Sequence, residues 1–291
     1  MSWRTVVISK RAKLDFKANH LIVRQEMDTA KIHLSEILLL MIEDTSVSMT
    51  AYLLCELVQR KIKVIFCDEK RNPCFELHSY YGSHDTSLKI RSQIAWGKKI
   101  KEEVWTEIVK DKIRKQRELL SNFGFAEAEL LIEYEREILF NDESNREGHA
   151  AKVYFNSLFG KSFTRSLDCV TNAALNYGYS IILSAFNKEI VSNGYLTQIG
   201  LFHDNMYNPF NLASDLMEPF RPIVDAYVFK TSLEKFDSDE KHNLINLLNK
   251  EVYIGEEKHF LSNAIKIYCK SVFDAINEGD ISLIRFYRNE L

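Results

Sequence analysis

At 291 residues, 46% hydrophobic and 27% charged, the chain has the composition of a globular protein of one large or two ordinary domains, which excludes a disordered or fibrous one. Its net charge of −3 excludes a generally basic polymer binder, so any nucleic acid must be met through a local basic patch or a more basic partner. The five cysteines, Cys55, Cys67, Cys74, Cys169 and Cys269, show no Cys-x-x-Cys spacing, which excludes a zinc ribbon; they are expected reduced and mostly buried. No secretory signal is recognised, and no apolar stretch reaches the roughly 18 residues that span a bilayer, so a cytoplasmic location is expected.

In chain order, residues up to about 80 read as β-rich. Strands are predicted at Thr5–Ser9, Lys13–Lys17, His20–Gln25, Lys31–Leu34 and Ile37–Ile42, with Ala18-Asn19 as a hairpin turn. Met49–Lys61 has helical spacing through Leu53, Leu54, Leu57 and Val58. Lys63–Cys67 and Cys74–Leu77 return to strand around a polar turn. Hairpin-linked strands with one helix predict a small, mostly antiparallel β-rich domain over 1–82.

A boundary falls at Tyr81-Gly82-Ser83-His84-Asp85, and 83–291 reads as an all-α domain, giving an α+β protein. Helices are expected at Leu88–Gly97, Glu102–Leu120, Ala126–Leu139 and Ser144–Phe159, and from an Asp168 N-cap through Phe186. Further helical stretches are expected at Leu212–Ser232, Asp239–Leu248 and His259–Glu278.

Three segments depart from ordinary amphipathic helix. In the first, Gly148 follows Glu147 inside a helical pattern, at a cost of roughly 1 kcal/mol relative to alanine. With Ala151, it would let a backbone, metal or phosphate approach that face. The competing reading is a capping box between Ser144 and Glu147. In the second, His203 follows the apolar pair Leu201-Phe202 and precedes a polar stretch; it reads as a structural histidine or as a ligand. In the third, Asp215, Glu218 and Asp225 share one side of a helix disturbed by Pro219 and Pro222, with Arg221 able to pair its neighbours. One histidine with two or three carboxylates is a hard, oxygen-rich set that suits Mg²⁺ or Mn²⁺, and such sites act on phosphate esters.

The strings Arg146-Glu147-Gly148, Ala151, Tyr154-Phe155, then His203, then Asp215-Leu216-Met217-Glu218-Pro219-Phe220-Arg221-Pro222 and Asp225 resemble the signature of the CRISPR-associated spacer integrases, the "Cas one" adaptation endonucleases, and the overall sequence looks most like their type II-A lineage. The resemblance runs over essentially the whole chain. It implies that Glu147, His203 and Glu218 are the catalytic metal ligands for Mg²⁺ or Mn²⁺, with Asp215, Arg221 and Asp225 in support. It implies a homodimer through the β-rich domain and a small ferredoxin-like partner dimer, "Cas two". Other type II-A adaptation proteins are candidate partners, and no membrane is involved. The implied reaction is insertion of short foreign double-stranded DNA into a CRISPR array, by 3′-hydroxyl attack on a phosphodiester at a repeat boundary. A catalytically silent dimeric DNA-binding scaffold and a metal-dependent nuclease without integration are the alternatives. Arg146, Lys152, Lys161 and Arg165 flank the first segment as candidate phosphate contacts, and the basic stretch Lys110–Arg117 reads either as a further one or as a solvated face.

Overall fold

The computed structural model describes residues 4–79 and 83–289. The chain divides into two compact units, Met1–His84 and Asp85–Leu291. Tyr81 and Gly82 of the expected boundary lie outside the described residues.

The first unit is built from β1 (Arg4–Ile8), β2 (Lys13–Lys17), β3 (His20–Arg24), β4 (Thr29–His33), β5 (Ile37–Ile42), β6 (Ser48–Met49), α1 (Ala51–Gln59), β7 (Lys63–Cys67) and β8 (Pro73–Glu76). One sheet has the order β4-β3-β2-β6, and its β2–β3 and β3–β4 pairs are antiparallel hairpins. The β2–β3 turn puts Ala18 and Asn19 at φ 48° and 64°, the left-handed pair that matches strand twist. The other sheet, β1-β5-β7-β8, corrects the antiparallel expectation: β1–β5 and β5–β7 run parallel, and β8 alone returns antiparallel. The physical reason lies in two features. Helix α1 carries the chain back so that β7 can lie parallel to β5, and Ile37–Ile42 is a continuous apolar run, the pattern of a strand covered on both faces. Leu14, Leu21, Leu40, Leu53, Leu57 and Val64 are fully buried together in this unit's core.

The second unit follows with α2 (Thr86–Ile94), α3 (Lys98–Asn122), α4 (Ala128–Arg136), α5 (Arg146–Phe159), α6 (Val170–Ser192), α7 (Asn211–Leu216), α8 (Arg221–Thr231) and α9 (Ser238–Asn246). Then come β9 (Glu251–Ile254), β10 (Glu257–Phe260), α10 (Leu261–Glu278) and β11 (Tyr287–Arg288). The last strands form an antiparallel sheet, β10-β9-β11, which corrects the all-helical expectation to a mostly helical unit. Val252, Tyr253 and Ile254 favour strand, and Gly255 at φ +61° supplies the tight turn. The start of α6 is also corrected: its N-cap is Cys169, not Asp168.

Helix α3 is the axis of this unit. Val104, Trp105, Ile108, Val109, Ile113 and Leu120 are all fully buried along it, and it packs against α4, α5, α8 and α10. Helix α6 lies against α8 and α9, and Gly178 makes room for Val224, whose methyl would sit 2.4 Å from any added Cβ.

Among the described residues no helix is long and apolar enough to cross a membrane. All five cysteines are free thiols, but only Cys67 and Cys269 are buried, which corrects the expectation that most would be. Cys55 and Cys74 lie on the exposed faces of α1 and β8, where their apolar neighbours do not cover them.

Candidate metal centre

The expected helix over Leu212–Ser232 is in fact three pieces. Helix α7 ends before a 3-10 turn at Glu218–Phe220, and α8 starts at Arg221. Pro219 and Pro222 withhold two amides, so the backbone changes pitch there. The change of pitch separates the three acids that a continuous helix would align. Asp215, Glu218 and Asp225 are all buried, and each faces different partners.

Glu218 is held from two sides. Arg221 Nε donates to its Oε1 at 2.9 Å, and Lys112 Nζ, reaching from α3, donates to its Oε2. The same Lys112 Nζ donates to Glu147 Oε1 at 2.5 Å. One ammonium therefore bridges the two carboxylates that the family resemblance assigns to the metal. Burial alone would push the Glu218 carboxyl up, but Arg221 and Lys112 outweigh it and hold it at about 2. Burial likewise disfavours a charged Lys112, and the Glu218 and Glu147 carboxylates outweigh that, raising it above the usual lysine value.

Glu147 is available to Lys112 because the capping box does not form. The residue before α5 is Asn145, in the left-handed conformation at φ 51°. The orphan amides of the first turn are taken by Asp142, whose carboxylate accepts from Arg146 N at 2.8 Å and Glu147 N at 3.0 Å. Gly148 faces the Asn145 amide: an added Cβ would lie 2.7 Å from Asn145 Oδ1. That is the close approach the glycine permits, and it is to a side chain of the same turn.

His203 sits on the segment before α7. Asp215, fully buried, accepts from the amides of Leu201 at 2.6 Å, Phe202 at 3.0 Å and His203 at 3.1 Å. Its Oδ1 also lies 2.5 Å from His203 Nδ1. A carboxylate can only accept, so Nδ1 carries a proton and Nε2 is the ring's outward nitrogen. Gly200 is required by this grip, since a Cβ there would meet the His203 carbonyl at 2.3 Å and Asp215 Oδ2 at 2.7 Å. The imidazole stands edge-on to Trp105 and Phe202, which stack on each other with centroids 4.5 Å apart. The hydrogen bond that His203 donates to Asp215 raises its pKa, burial opposes it, and the charges of Asp215, Glu218 and Glu147 raise it further.

Among the described residues no three His, Cys, Asp or Glu side chains stand in a preformed ligating arrangement. The donor set still fits a hard divalent cation. Glu147 and Glu218 already share one cationic atom, and His203 offers a nitrogen whose other ring position is fixed by a carboxylate.

Asp225 belongs elsewhere. It accepts from Tyr154 OH at 3.0 Å and from Tyr179 OH, and is 1% exposed. Burial pushes its carboxyl up to about 6 against the pull of the two tyrosines and of Arg221 and Arg165. Of the candidate phosphate contacts, Arg165 donates to Asn172 and Asn176, both at 2.5 Å, and Arg146 pairs with Glu137 at 2.7 Å over the Tyr134 ring. Lys152 and Lys161 are exposed.

The Lys110–Arg117 stretch is no solvated face. Lys110 pairs with Glu107 and Arg114 with Asp111 and Glu135. Lys112 and Lys115 are buried, and Lys115 donates to the Tyr287 carbonyl. Lys112 and Asp142 were invisible as site residues in the sequence. A signal existed for Lys112, which falls on the same helical stripe as Trp105, Ile108 and Val109, where an apolar residue is expected.

Fold and site together define an α+β protein whose mostly helical unit carries an acid–lysine–acid bridge beside an aspartate-held imidazole. The family model described as CRISPR associated protein Cas1 matches residues 5–252, and the chain belongs to the Cas1 family. It is 32% identical over 266 residues to the CRISPR-associated endonuclease Cas1 of Neisseria meningitidis serogroup C, covering 89% of this chain and 87% of that one. The fold is also similar to that of a CAS1 protein from Thermotoga maritima, TM1797, with a TM-score of 0.76 at 17% identity over 95% of this chain and 98% of that one. It is similar to a casposase bound to integration product, with a TM-score of 0.76 at 17% identity over 97% and 93%.

Proposed function

We propose that this chain is a metal-dependent DNA integrase and endonuclease of CRISPR adaptation, with Glu147, His203 and Glu218 as ligands for Mg²⁺ or Mn²⁺. The observation that carries the reading is the convergence of Glu147 and Glu218, from helices α5 and the turn before α8, on one buried cationic atom. When bound, the divalent ion would lower the pKa of the attacking hydroxyl and offset charge developing on the phosphate. The chain's own residues do the rest. Arg221 holds one oxygen of Glu218 and so fixes the direction in which the carboxylate faces. Asp142 sets the first turn of α5 and so aims Glu147. Asp215 fixes the place and tautomer of His203. Trp105 and Phe202 wall the imidazole against water on one side.

Double-stranded DNA is the proposed substrate, both as the incoming fragment and as the repeat that receives it. The β-rich unit is the proposed homodimer interface, as the family resemblance implies. A small Cas2-type dimer is the proposed partner. That assignment is supported by the fold's likeness to a Cas6-RT-Cas1–Cas2 complex, which has a TM-score of 0.76 at 18% identity over 99% of this chain and 36% of that one. Within the family, the likeness of the overall sequence is the ground for proposing a place near the type II-A lineage.

The test is a supercoiled plasmid bearing a CRISPR repeat, labelled donor duplex, the small partner and Mn²⁺. Joined product is expected with the native chain and none after EDTA. Hydrolysis without joined product would favour a nuclease, and DNA binding indifferent to EDTA with no chemistry would favour a scaffold.

A further inference from the structure

We propose that Lys112 is a tethered cation holding the place of the divalent ion, which can bind only when the Lys112 ammonium leaves both carboxylates. The inference rests on the reading of Glu147 and Glu218 as ligands. The geometry sets up a competition for one position, the point between the two carboxylates that the Lys112 ammonium fills. Arg221 occupies Glu218 Oε1, and Glu218 is 4% exposed, so it has no freedom to turn. The oxygen left to an incoming ion is Oε2, which Lys112 holds. Oε1 of Glu147 is held by the same nitrogen.

Packing does not account for a lysine at this place. It lies on the buried stripe of α3, where an unpaired ammonium is strongly disfavoured. What the ammonium provides is neutrality for two carboxylates brought together. A divalent ion provides the same with a higher charge. The four-carbon stem lets the ammonium swing aside while α3 stays fixed, and the tether keeps it within reach of a bound phosphate. The buried Lys115, three residues on, is a contrasting case. It donates to a backbone carbonyl at 2.5 Å and lies over the Tyr287 ring, a fixed structural role.

The test is Mn²⁺ titration of the metal-stripped full chain with donor DNA present, followed by electron paramagnetic resonance. Lys112→Met removes the competitor and leaves two carboxylates in want of a cation, so at least tenfold tighter Mn²⁺ binding is expected. Lys112→Arg restores a cation and should bring affinity back to the native value or below. Equal affinity in Lys112→Met and the native chain overturns the proposal and leaves the ligand reading standing. No Mn²⁺ uptake by either protein removes the ligand reading and the proposal with it. A second measurement needs no variant: acetylation of the native chain, read by mass spectrometry. Mn²⁺ should raise labelling of Lys112 several-fold and leave Lys115 unchanged. Labelling of Lys112 that ignores Mn²⁺ overturns the proposal.

Discussion

The two units bury different kinds of residue. Among the described residues of the first, Glu43 and Lys63 are the charged side chains that lie buried. In the second, Asp111, Lys112, Lys115, Asp142, Glu189, Asp215, Glu218, Asp225 and Lys241 are all buried. Buried charge costs several kcal/mol per ion before pairing returns it, and a well-packed apolar substitute is often the more stable choice. The first unit therefore rests mainly on apolar packing, and the second carries a larger standing cost, met partly by structural pairs such as Lys115 with the Tyr287 carbonyl and partly by the acid–lysine–acid bridge.

Four experiments would break or sharpen that contrast. The largest effect is expected at the acid–imidazole centre. Glu147→Ala, His203→Ala and Glu218→Ala should each lower strand transfer by at least about 100-fold. Glu147→Ala takes one of two carboxylates from the buried Lys112 and should lower unfolding free energy by about 1–3 kcal/mol, leaving the protein folded. Full strand transfer by any of the three would remove that residue from the centre. In the first unit the balance reverses: Leu40→Ala, at a fully buried position, should cost about 2–5 kcal/mol in urea unfolding and leave Mn²⁺ affinity as it was.

The third experiment concerns pH. Burial holds Asp225 and Asp111 at about 6, above the ordinary 3.8. The folded state then keeps these protons more tightly than the unfolded chain does. Their contribution is present below about pH 4 and is lost as pH rises to about 6, on the order of 3 kcal/mol for each. Asp225→Asn keeps one acceptor for the two tyrosines and cannot ionise, so it should remove about half of that fall between pH 4 and 6 and leave the Asp111 half. An unchanged slope would mean that Asp225 is ionised throughout. The smallest effect is expected from Asp142→Ala, which strips the first turn of α5 of its acceptor at a cost of about 1 kcal/mol. Its mark should be weaker Mn²⁺ binding through a less constrained Glu147.

Much of the architecture was legible from spacing and composition. The strands from Lys13 to Ile42, helix α1 and the helical character after residue 85 all follow local periodicity. What escaped depends on contacts distant in sequence. The parallel pairing of β5 with β7 is a choice of neighbour, and Ile37–Ile42 carried its hint in being apolar without alternation. The β9–β10 hairpin lay in Val252–Phe260, where one glycine outweighs its polar surroundings.

The centre divides in the same way. Residue types and resemblance picked out Glu147, His203 and Glu218. The sequence could not show that Asp215 serves His203 while Asp225 serves two tyrosines, because a pitch change at Pro219 sets their directions. Nor could it show that Asp142 replaces Ser144 as the cap, since that depends on left-handed turns at Asn141, Asp142 and Asn145. Lys112 was hidden in a run of basic residues that composition alone assigns to solvent.

The grip of Asp215 on three successive amides divides the chain between His203 and α7 into an anchor and an overhang. Met206 and Tyr207 are 86% and 87% exposed there, a few residues from an imidazole held by Asp215. Substitutions at Met206 and Tyr207 would accordingly change the surface beside the imidazole and leave the four contacts of Asp215 with Leu201, Phe202 and His203 in place.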